Sequence, residues 1–302
     1  MFSALFPNRF FGSSGTPSDV LTLPKESTME NVNIQELENE KRQQQKLVRI
    51  RGFRLMDDDF MSVCLKDSPE AANRILGIIL GKPDIKVTKV ETQVEMRNLY
   101  GRSIRLDMKA QDKDGVYNCE IQRADKGATP RRARYHGSIL DANQTVTGAL
   151  YEDIPETYII FITEKDHFGK GKPIYRFERY CEEIGQNLDD GLHIIYVNGE
   201  YRGDDDIGWL MHDFSCTRSD EIHYTELADR VRYFKEDDEG VRNMCRSMEE
   251  MLNEYGEEVT EKNKREFAMR MILDGSIPLE KIVALSNLDI ETVNQLAAEV
   301  KR

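Results

Sequence analysis

The sequence predicts an α/β fold in which a mixed sheet is flanked by helices and followed by a helical C-terminal region. Apolar residues recur at helical spacing over residues 57–80, and two alternating runs follow at 104–111 and 116–123. After a further long helical segment come two short, almost wholly apolar runs, at 157–163 and 193–197. This order, together with a β-branched stretch before the first alternating run, is typical of a sheet covered by helices.

The composition is that of a globular chain with a heavily charged surface. Apolar residues make up 39% of the 302 residues, charged residues make up 32%, and the formal net charge is -13. Such a chain repels nucleic acid overall, so any contact with DNA or RNA must come from a local basic patch. No apolar stretch approaches the roughly 20 residues that span a bilayer. We therefore expect a cytoplasmic protein with no membrane segment.

The cysteines and histidines do not indicate a metal or disulfide framework. The five cysteines are scattered and form no C-x-x-C pair, and the five histidines show no H-x-x-x-H spacing. Neither zinc nor disulfides are therefore expected.

The chain is predicted to have three parts. Residues 1–48 are expected to be a disordered or weakly helical tail, because they contain too few apolar residues to bury. Residues 49–215 are expected to form the α/β core, which opens with a helical region interrupted near Pro69 and ending at Gly81. Residues 216–302 are expected to be helical.

The C-terminal end of the chain predicts two short amphipathic helices separated by Ser286-Asn287. One interpretation is a packing or oligomerisation hairpin, so a homo-oligomer formed through these helices is a predicted partner. A DNA-binding helix-turn-helix is the alternative. The acidic residues Asp289, Glu291 and Glu299 weigh against it, because they repel phosphate.

The two alternating runs are joined by DKDG at residues 112–115 and are predicted to form a hairpin. Apolar Ile104, Leu106, Met108 and Ala110 are expected on one face of the first strand, with Asp107 on the other. A four-residue loop places Asp107 opposite Glu120. A two-residue turn places Asp107 opposite Gln122 and Glu120 opposite Lys109. Both registers make Asp107 and Glu120 neighbours on one face.

Two neighbouring carboxylates repel each other unless a cation lies between them, and oxygen ligands of this kind suit Mg²⁺, with Mn²⁺ as a substitute. Such an ion activates water and stabilises charge on a phosphate. A basic cluster follows the second strand directly and comprises Arg123, Lys126, Arg131, Arg132 and Arg134. It would hold a phosphodiester backbone beside the carboxylates. The alternative is a solvated hairpin face followed by a charged helix start.

These residues also carry a family resemblance. Asp107, twelve intervening residues and Glu120-Ile121-Gln122 resemble the D-(x)n-E-x-Q variant of the PD-(D/E)XK nuclease signature. The stretch from MDDDFM through RLDMKAQDKDGVYNCEIQR to RRARYHGSILDANQ resembles the recombination-promoting nucleases, also called PD-(D/E)XK nuclease family transposases. The resemblance covers roughly residues 54–300. It implies a restriction-endonuclease-like core and a metal-dependent DNA endonuclease linked to recombination or mobile elements.

The resemblance also implies roles for individual residues. Asp107 and Glu120 would bind the metal, and Gln122 would stand in the place of the catalytic lysine. Asp59 would be a further acidic metal ligand, with a helix N-cap as the alternative. The residues expected to contact DNA are Arg123, Lys126, Arg131, Arg134 and Tyr135.

The neutral amide of Gln122 cannot supply the positive charge of a lysine. Lys109 is a candidate replacement. A catalytically degenerate fold that only binds DNA or a protein is therefore an alternative function, and a regulator that binds DNA through its C-terminal helix pair is another.

Overall fold

The computed structural model describes residues 26–98, 101–123 and 127–300. It divides the chain into two units, residues 1–45 and 46–302. Helix α1, Glu26–Gly52, begins in the first unit and ends in the second. The predicted tail is therefore helical from Glu26 onward, and its first 25 residues lie outside the described part. In the described ranges, no helix is both long and apolar enough to cross a membrane.

The second unit alternates helices and strands before it becomes wholly helical. In chain order its elements are α2 (Asp58–Leu65), α3 (Pro69–Leu80), β1 (Lys89–Met96), β2 (Ile104–Gln111), β3 (Gly115–Gln122), α4 (Pro130–Gln144), β4 (Glu156–Thr163), β5 (Ile174–Phe177), β6 (Tyr180–Cys181), β7 (Gln186–Asn187), β8 (Leu192–Asn198), α5 (Asp206–Ser215), α6 (Thr225–Glu236), α7 (Asp238–Asp274), α8 (Leu279–Ser286) and α9 (Ile290–Val300). The predicted interruption near Pro69 is confirmed, since Pro69 begins α3, and Gly81 caps the end of that helix in a left-handed conformation.

Six strands form one mixed sheet in the order β1-β2-β3-β4-β8-β5, which confirms the predicted fold class. Strands β1, β2 and β3 are antiparallel neighbours, and β3, β4 and β8 run parallel. Strand β5 closes one edge antiparallel to β8. The carboxyl ends of the parallel strands β3 and β4 therefore lie at the same end of the sheet.

Helices cover both faces of this sheet. One face packs against α2, α3, α5, α6 and the first turns of α7, and the opposite face packs against α4. Strand β4 is buried along almost its whole length, as expected for a parallel strand covered on both sides. Val231 and Phe234 of α6 and Met244 and Met248 of α7 belong to the main core. That core thus continues past residue 216, where the sequence predicts the helical region to begin.

The end of α7 packs with α8 and α9 around a separate apolar cluster. The predicted helix pair is confirmed, and Asn287 ends α8 in a left-handed conformation. The apolar residues of the pair, among them Ile282, Val293 and Leu296, are buried within the chain itself. The predicted homo-oligomer contact through these helices is therefore not supported.

The hairpin of β2 and β3 has the register of the four-residue loop. Met108 lies opposite Cys119, and Gln111 lies opposite Val116. Asp112 fixes the loop, because its carboxylate accepts the N–H groups of Asp114 and Gly115, each at 2.8 Å. By this register Asp107 lies across from Glu120.

The expectation of a single apolar face along β2 is wrong. Ile104 and Leu106 pack on the α4 side of the sheet, whereas Met108 and Ala110 pack on the other side. The alternation is reset at Asp107, where neither the β1–β2 nor the β2–β3 pairing includes a partner for it. On β1 the residue across from it, Gln93, has a φ of 54°, which twists that strand at the same level.

Candidate active site

Asp107 lies at the interruption of the β2–β3 ladder and is held from three directions. Its carboxylate accepts the N–H of Ile121 at 2.9 Å. Its own N–H donates to Oε1 of Glu120 at 3.4 Å, and its carbonyl accepts from the hydroxyl of Ser62 on α2 at 3.3 Å. The side chain thus replaces a main-chain ladder bond to β3, which brings the Asp107 carboxylate beside Glu120.

Glu120 is fully buried beneath α4. Arg132 donates to its Oε2 at 2.7 Å, and Nδ1 of His136 lies 3.7 Å from its Oε1. Arg132 also donates through Nε to Nε2 of His136 at 3.2 Å, and the Asn118 amide nitrogen lies 3.1 Å from Nδ1 of His136. These side chains of β3 and α4 form a buried polar network around Glu120.

The electrostatics of the site are dominated by burial. Burial raises the pKa of Asp107, and burial together with the charge of Asp107 raises the pKa of Glu120. The positive charge of Arg132 lowers the pKa of both carboxyls and so partly opposes these effects. Burial, and then Arg132, lower the pKa of His136 to about 4, so its imidazole is neutral at pH 7. Burial therefore disfavours the ionised form of both carboxyls, and a bound cation would offset that effect.

The donor chemistry of the pair fits a hard divalent cation. Mg²⁺ takes one or two protein carboxylates and keeps several waters, so Asp107 and Glu120 satisfy its protein-ligand requirement. Over residues 26–98, 101–123 and 127–300, no group of three or more His, Cys, Asp or Glu side chains is arranged to hold a metal ion. Water or substrate oxygens would therefore have to complete the coordination.

Gln122 shares with Glu120 the face of β3 that α4 covers. Its side-chain oxygen lies directly over Gly127, because a Cβ on that glycine would come within 1.5 Å of it. Nη1 of Arg132 donates to the carbonyl of Gly127 at 3.1 Å and lies 3.5 Å from the same Cβ position. Gln122 and Arg132 therefore both lie near Gly127. Lys109, the candidate replacement for the lysine, lies instead opposite Asn118.

The aspartates at the start of α2 differ in which groups lie near them. Burial, and then the charge of Asp58, raise the pKa of Asp107. Asp59 instead lines a cavity of about 320 Å³ with Arg49 and Arg105. The role of Asp59 as a metal ligand stays a prediction, and Asp58 is an acidic neighbour of the site that the sequence reasoning missed. Three adjacent aspartates point in different directions around a helix start, and the sequence does not say which one faces the strands.

The cations predicted to contact DNA have different surroundings. Arg123 forms ion pairs with Asp57 at 3.0 Å and with Glu164 at 3.6 Å, so it is already engaged within the protein. Arg131 and Arg134 are exposed on α4, and neither has an ion-pair partner in the described part of the chain. Lys126 lies outside the described residues.

Tyr135 contacts the segment between β1 and β2. Its hydroxyl donates to the carbonyl of Arg102 and accepts from the side-chain amide of Asn98 at 3.0 Å. At the start of the same helix, Thr129 accepts the N–H of Arg132 at 3.3 Å as the N-cap. These contacts fix the position of α4 over the sheet.

Residues 73–201 match the family model described as PD-(D/E)XK nuclease family transposase. This part of the chain is similar to that family. The segment that matches the PD-(D/E)XK nuclease family transposases begins within α3 and ends just after β8. It includes Asp107, Glu120, Gln122 and the whole of α4. The recognised family is thereby confirmed for this segment, while α2 and the helices after β8 lie outside the match. No curated protein and no solved structure matches the chain.

Proposed function

We propose that the protein is a metal-dependent DNA endonuclease that cleaves backbone phosphodiesters in the cytoplasm and takes part in recombination or mobile-element biology. The family match supports a nuclease. The observation that carries the proposal is the ladder interruption, which holds Asp107 next to Glu120 through the N–H groups of Ile121 and Asp107. Paired carboxylates in a nuclease-family sheet are suited to a divalent metal acting on phosphate.

In this proposal Asp107 and Glu120 would hold Mg²⁺ or Mn²⁺, which when bound would supply an activated water and stabilisation of charge on the phosphate. The N–H of Ile121 orients the carboxylate of Asp107. The amide of Gln122, which can both donate and accept, orients the attacking water. Arg131 and Arg134 hold neighbouring backbone phosphates from the exposed face of α4.

The test is the nicking of supercoiled plasmid by purified full-length protein with Mg²⁺ or Mn²⁺. We expect Asp107→Asn and Glu120→Gln each to slow nicking at least about 100-fold, the scale of removing one electrostatic group from an active site. The matched control is Asp114→Asn, which changes an exposed carboxylate in the loop of the same hairpin. Nicking that persists in EDTA, or in both site variants, would contradict the proposal.

A catalytically degenerate fold that only binds DNA or a protein is the second candidate. Two observations favour it: Glu120 already has a cationic partner in Arg132, and the motif position 122 holds a neutral glutamine. The same experiment separates the two functions. Wild-type protein that retards DNA in a gel but fails to nick it, whichever divalent metal is added, would establish the binding function instead.

A further inference from the structure

Position 122 holds glutamine where the usual motif has lysine, so the site lacks the positive charge of that lysine. Phosphodiester cleavage builds up negative charge, and a fixed positive charge close to the metal carboxylates stabilises it. Gln122 is neutral and cannot provide that charge. If the site is active, another residue near Glu120 must supply it.

Arg132 is the cation in direct contact with this part of the site. It donates to Oε2 of Glu120 at 2.7 Å, and its Nη1 and the Gln122 side chain both lie near Gly127. Arg132 binds only one of the two carboxylate oxygens of Glu120. The other oxygen, Oε1, accepts the N–H of Asp107. Arg132 thus contacts Glu120 of the proposed metal pair and lies near the motif position that lacks a charge.

The guanidinium of Arg132 is held in one orientation. Nε donates to the ring of His136, and Nη1 donates to the carbonyl of Gly127. The guanidinium carbon lies 5.6 Å from the centre of the Phe161 ring. About 35% of the side chain remains exposed. The Arg132 side chain is therefore held by these hydrogen bonds and is still accessible to a substrate that approaches from solvent.

Two other cations near the site do not meet the same requirement. Lys109 lies opposite Asn118 in the strand register and not opposite Glu120. Arg123, directly after Gln122, is paired with Asp57 and Glu164. Within the described residues, neither forms a hydrogen bond or ion pair with the Glu120 carboxylate, which is paired with Arg132.

We propose that Arg132 is a positioning residue that supplies, through Glu120 and beside Gln122, the positive charge that lysine supplies in the usual motif. The inference rests on the proposed endonuclease function. In physical terms, the charge has moved from the end of β3 to the first turn of α4, where the Thr129 cap and the Gly127 carbonyl fix it. Returning the charge to position 122 should therefore compensate for its loss at position 132.

The experiment compares full-length Arg132→Gln, Arg132→Lys and the double variant Gln122→Lys/Arg132→Gln with wild type. The matched control is Arg232→Gln, which removes an exposed ion pair with Asp229 on α6. Two quantities are measured: kcat and KM for plasmid nicking at saturating Mg²⁺, and the thermal midpoint of the metal-free protein in EDTA.

We expect Arg132→Gln to lower kcat about 100-fold with KM changed less than about threefold, because the charge acts on the reaction and not on DNA binding. Arg132→Lys and the double variant should recover kcat to within about tenfold of wild type, since both restore a cation beside Glu120. The metal-free midpoint should fall in Arg132→Gln, which leaves Glu120 buried without its partner, and rise again in both charge-retaining variants. Arg232→Gln should match wild type in kcat and KM.

Wild-type kcat in Arg132→Gln would overturn the inference while leaving the nuclease function intact. A double variant that regains its thermal midpoint but not its kcat would show that Arg132 serves stability alone, and would also overturn it. If Arg132→Gln does not fold, the folded double variant decides by its kcat in the same way. A wild-type protein that does not nick DNA at all would refute the proposed function, and this inference with it.

Discussion

At the scale of single residues, the site depends on side chains that replace main-chain hydrogen bonds. The carboxylate of Asp107 accepts an N–H of β3 that a regular hairpin would pair with a carbonyl of β2. A side chain held in this way has few alternative rotamers, so its position next to Glu120 costs little entropy when a ligand binds.

Gly127 is a position where a single methyl group probes the site. In Gly127→Ala the new Cβ would come within 1.5 Å of the side-chain oxygen of Gln122, so the flexible amide must leave its position. We expect nicking to slow about tenfold, as for a group that positions water, with the thermal midpoint nearly unchanged. Gly256→Ala is the control, because nothing lies within 4 Å of its added Cβ. Unchanged nicking by Gly127→Ala would show that the Gln122 amide has no role.

The aspartates of α2 offer a matched pair of substitutions. Asp58→Asn removes a negative charge that acts on Asp107, whereas Asp59→Asn removes one that lies in the neighbouring cavity. We expect the Mg²⁺ concentration for half-maximal nicking to rise about threefold in Asp58→Asn, and less in Asp59→Asn, because a nearby acidic charge attracts the cation. A larger rise in Asp59→Asn would instead support the assignment of Asp59 as a metal ligand.

The sequence could predict the carboxylate pair but not its surroundings. Both of the loop lengths that the sequence allows make Asp107 and Glu120 neighbours, because the register of a hairpin depends on the geometry of its turn, and the structure has the register of the four-residue loop. The ion pair from Arg132 to Glu120 could not be predicted, since α4 is placed over the sheet by packing between distant segments. The hydrogen bonds of the Tyr135 hydroxyl to the segment between β1 and β2 could not be predicted for the same reason, and its contact with DNA stays a prediction.

At the scale of elements, α4 presents two exposed arginines to solvent while Arg123 is engaged in ion pairs. We expect Arg131→Gln/Arg134→Gln to weaken DNA binding and to reduce the slope of log affinity against log salt by about 0.9 for each phosphate that is no longer neutralised. Arg123→Gln is the comparison and should change the slope little. Fluorescence anisotropy with short duplex DNA in EDTA measures both. Equal slopes for the wild type and the double variant would exclude α4 as a phosphate-binding surface.

Helix α6 contributes a buried lysine that caps the end of α1. Lys235 donates to the carbonyls of Arg51, Phe53 and Thr217, and burial lowers its pKa to about 8 from an ordinary 10.5. Between these two pH values Lys235 is protonated in the unfolded chain but mostly neutral in the folded protein. The free energy of unfolding therefore rises with pH over this range. We expect the free energy of unfolding of wild type to rise relative to that of Lys235→Met from pH 8 to 10. Urea unfolding at several pH values measures it, and a constant difference would contradict the pKa shift.

Elements with a strong pattern of their own were predictable, and elements that depend on their neighbours were not. Strands β4 and β8 are apolar runs that stand out from the flanking polar sequence. Strand β5 has four half-exposed or exposed residues at the sheet edge and forms through its pairing with β8. Its sequence, IYRF, carries too short a pattern to distinguish it from a loop.

At the scale of the whole molecule, the apolar residues of the second unit form separate clusters. The two clusters on either side of the sheet share its strands, and α6 and the first turns of α7 complete one of them. The cluster of α8, α9 and the end of α7 contains residues from 268 onward only. A small cluster of this kind can open independently of the main core.

Deletion of residues 265–302 therefore removes the whole of the small cluster and leaves Met244 and Met248 of α7 in the main core. We expect the truncated protein to nick plasmid within about threefold of wild type, because clusters that share no partners contribute nearly independently. The measurement also tests the regulator alternative, in which the helix pair binds DNA. In that case the truncation would abolish DNA retardation in a gel while its circular dichroism spectrum still showed a folded α/β protein. Retained nicking together with retained retardation would instead place both DNA binding and chemistry in the segment formed by the sheet and its covering helices.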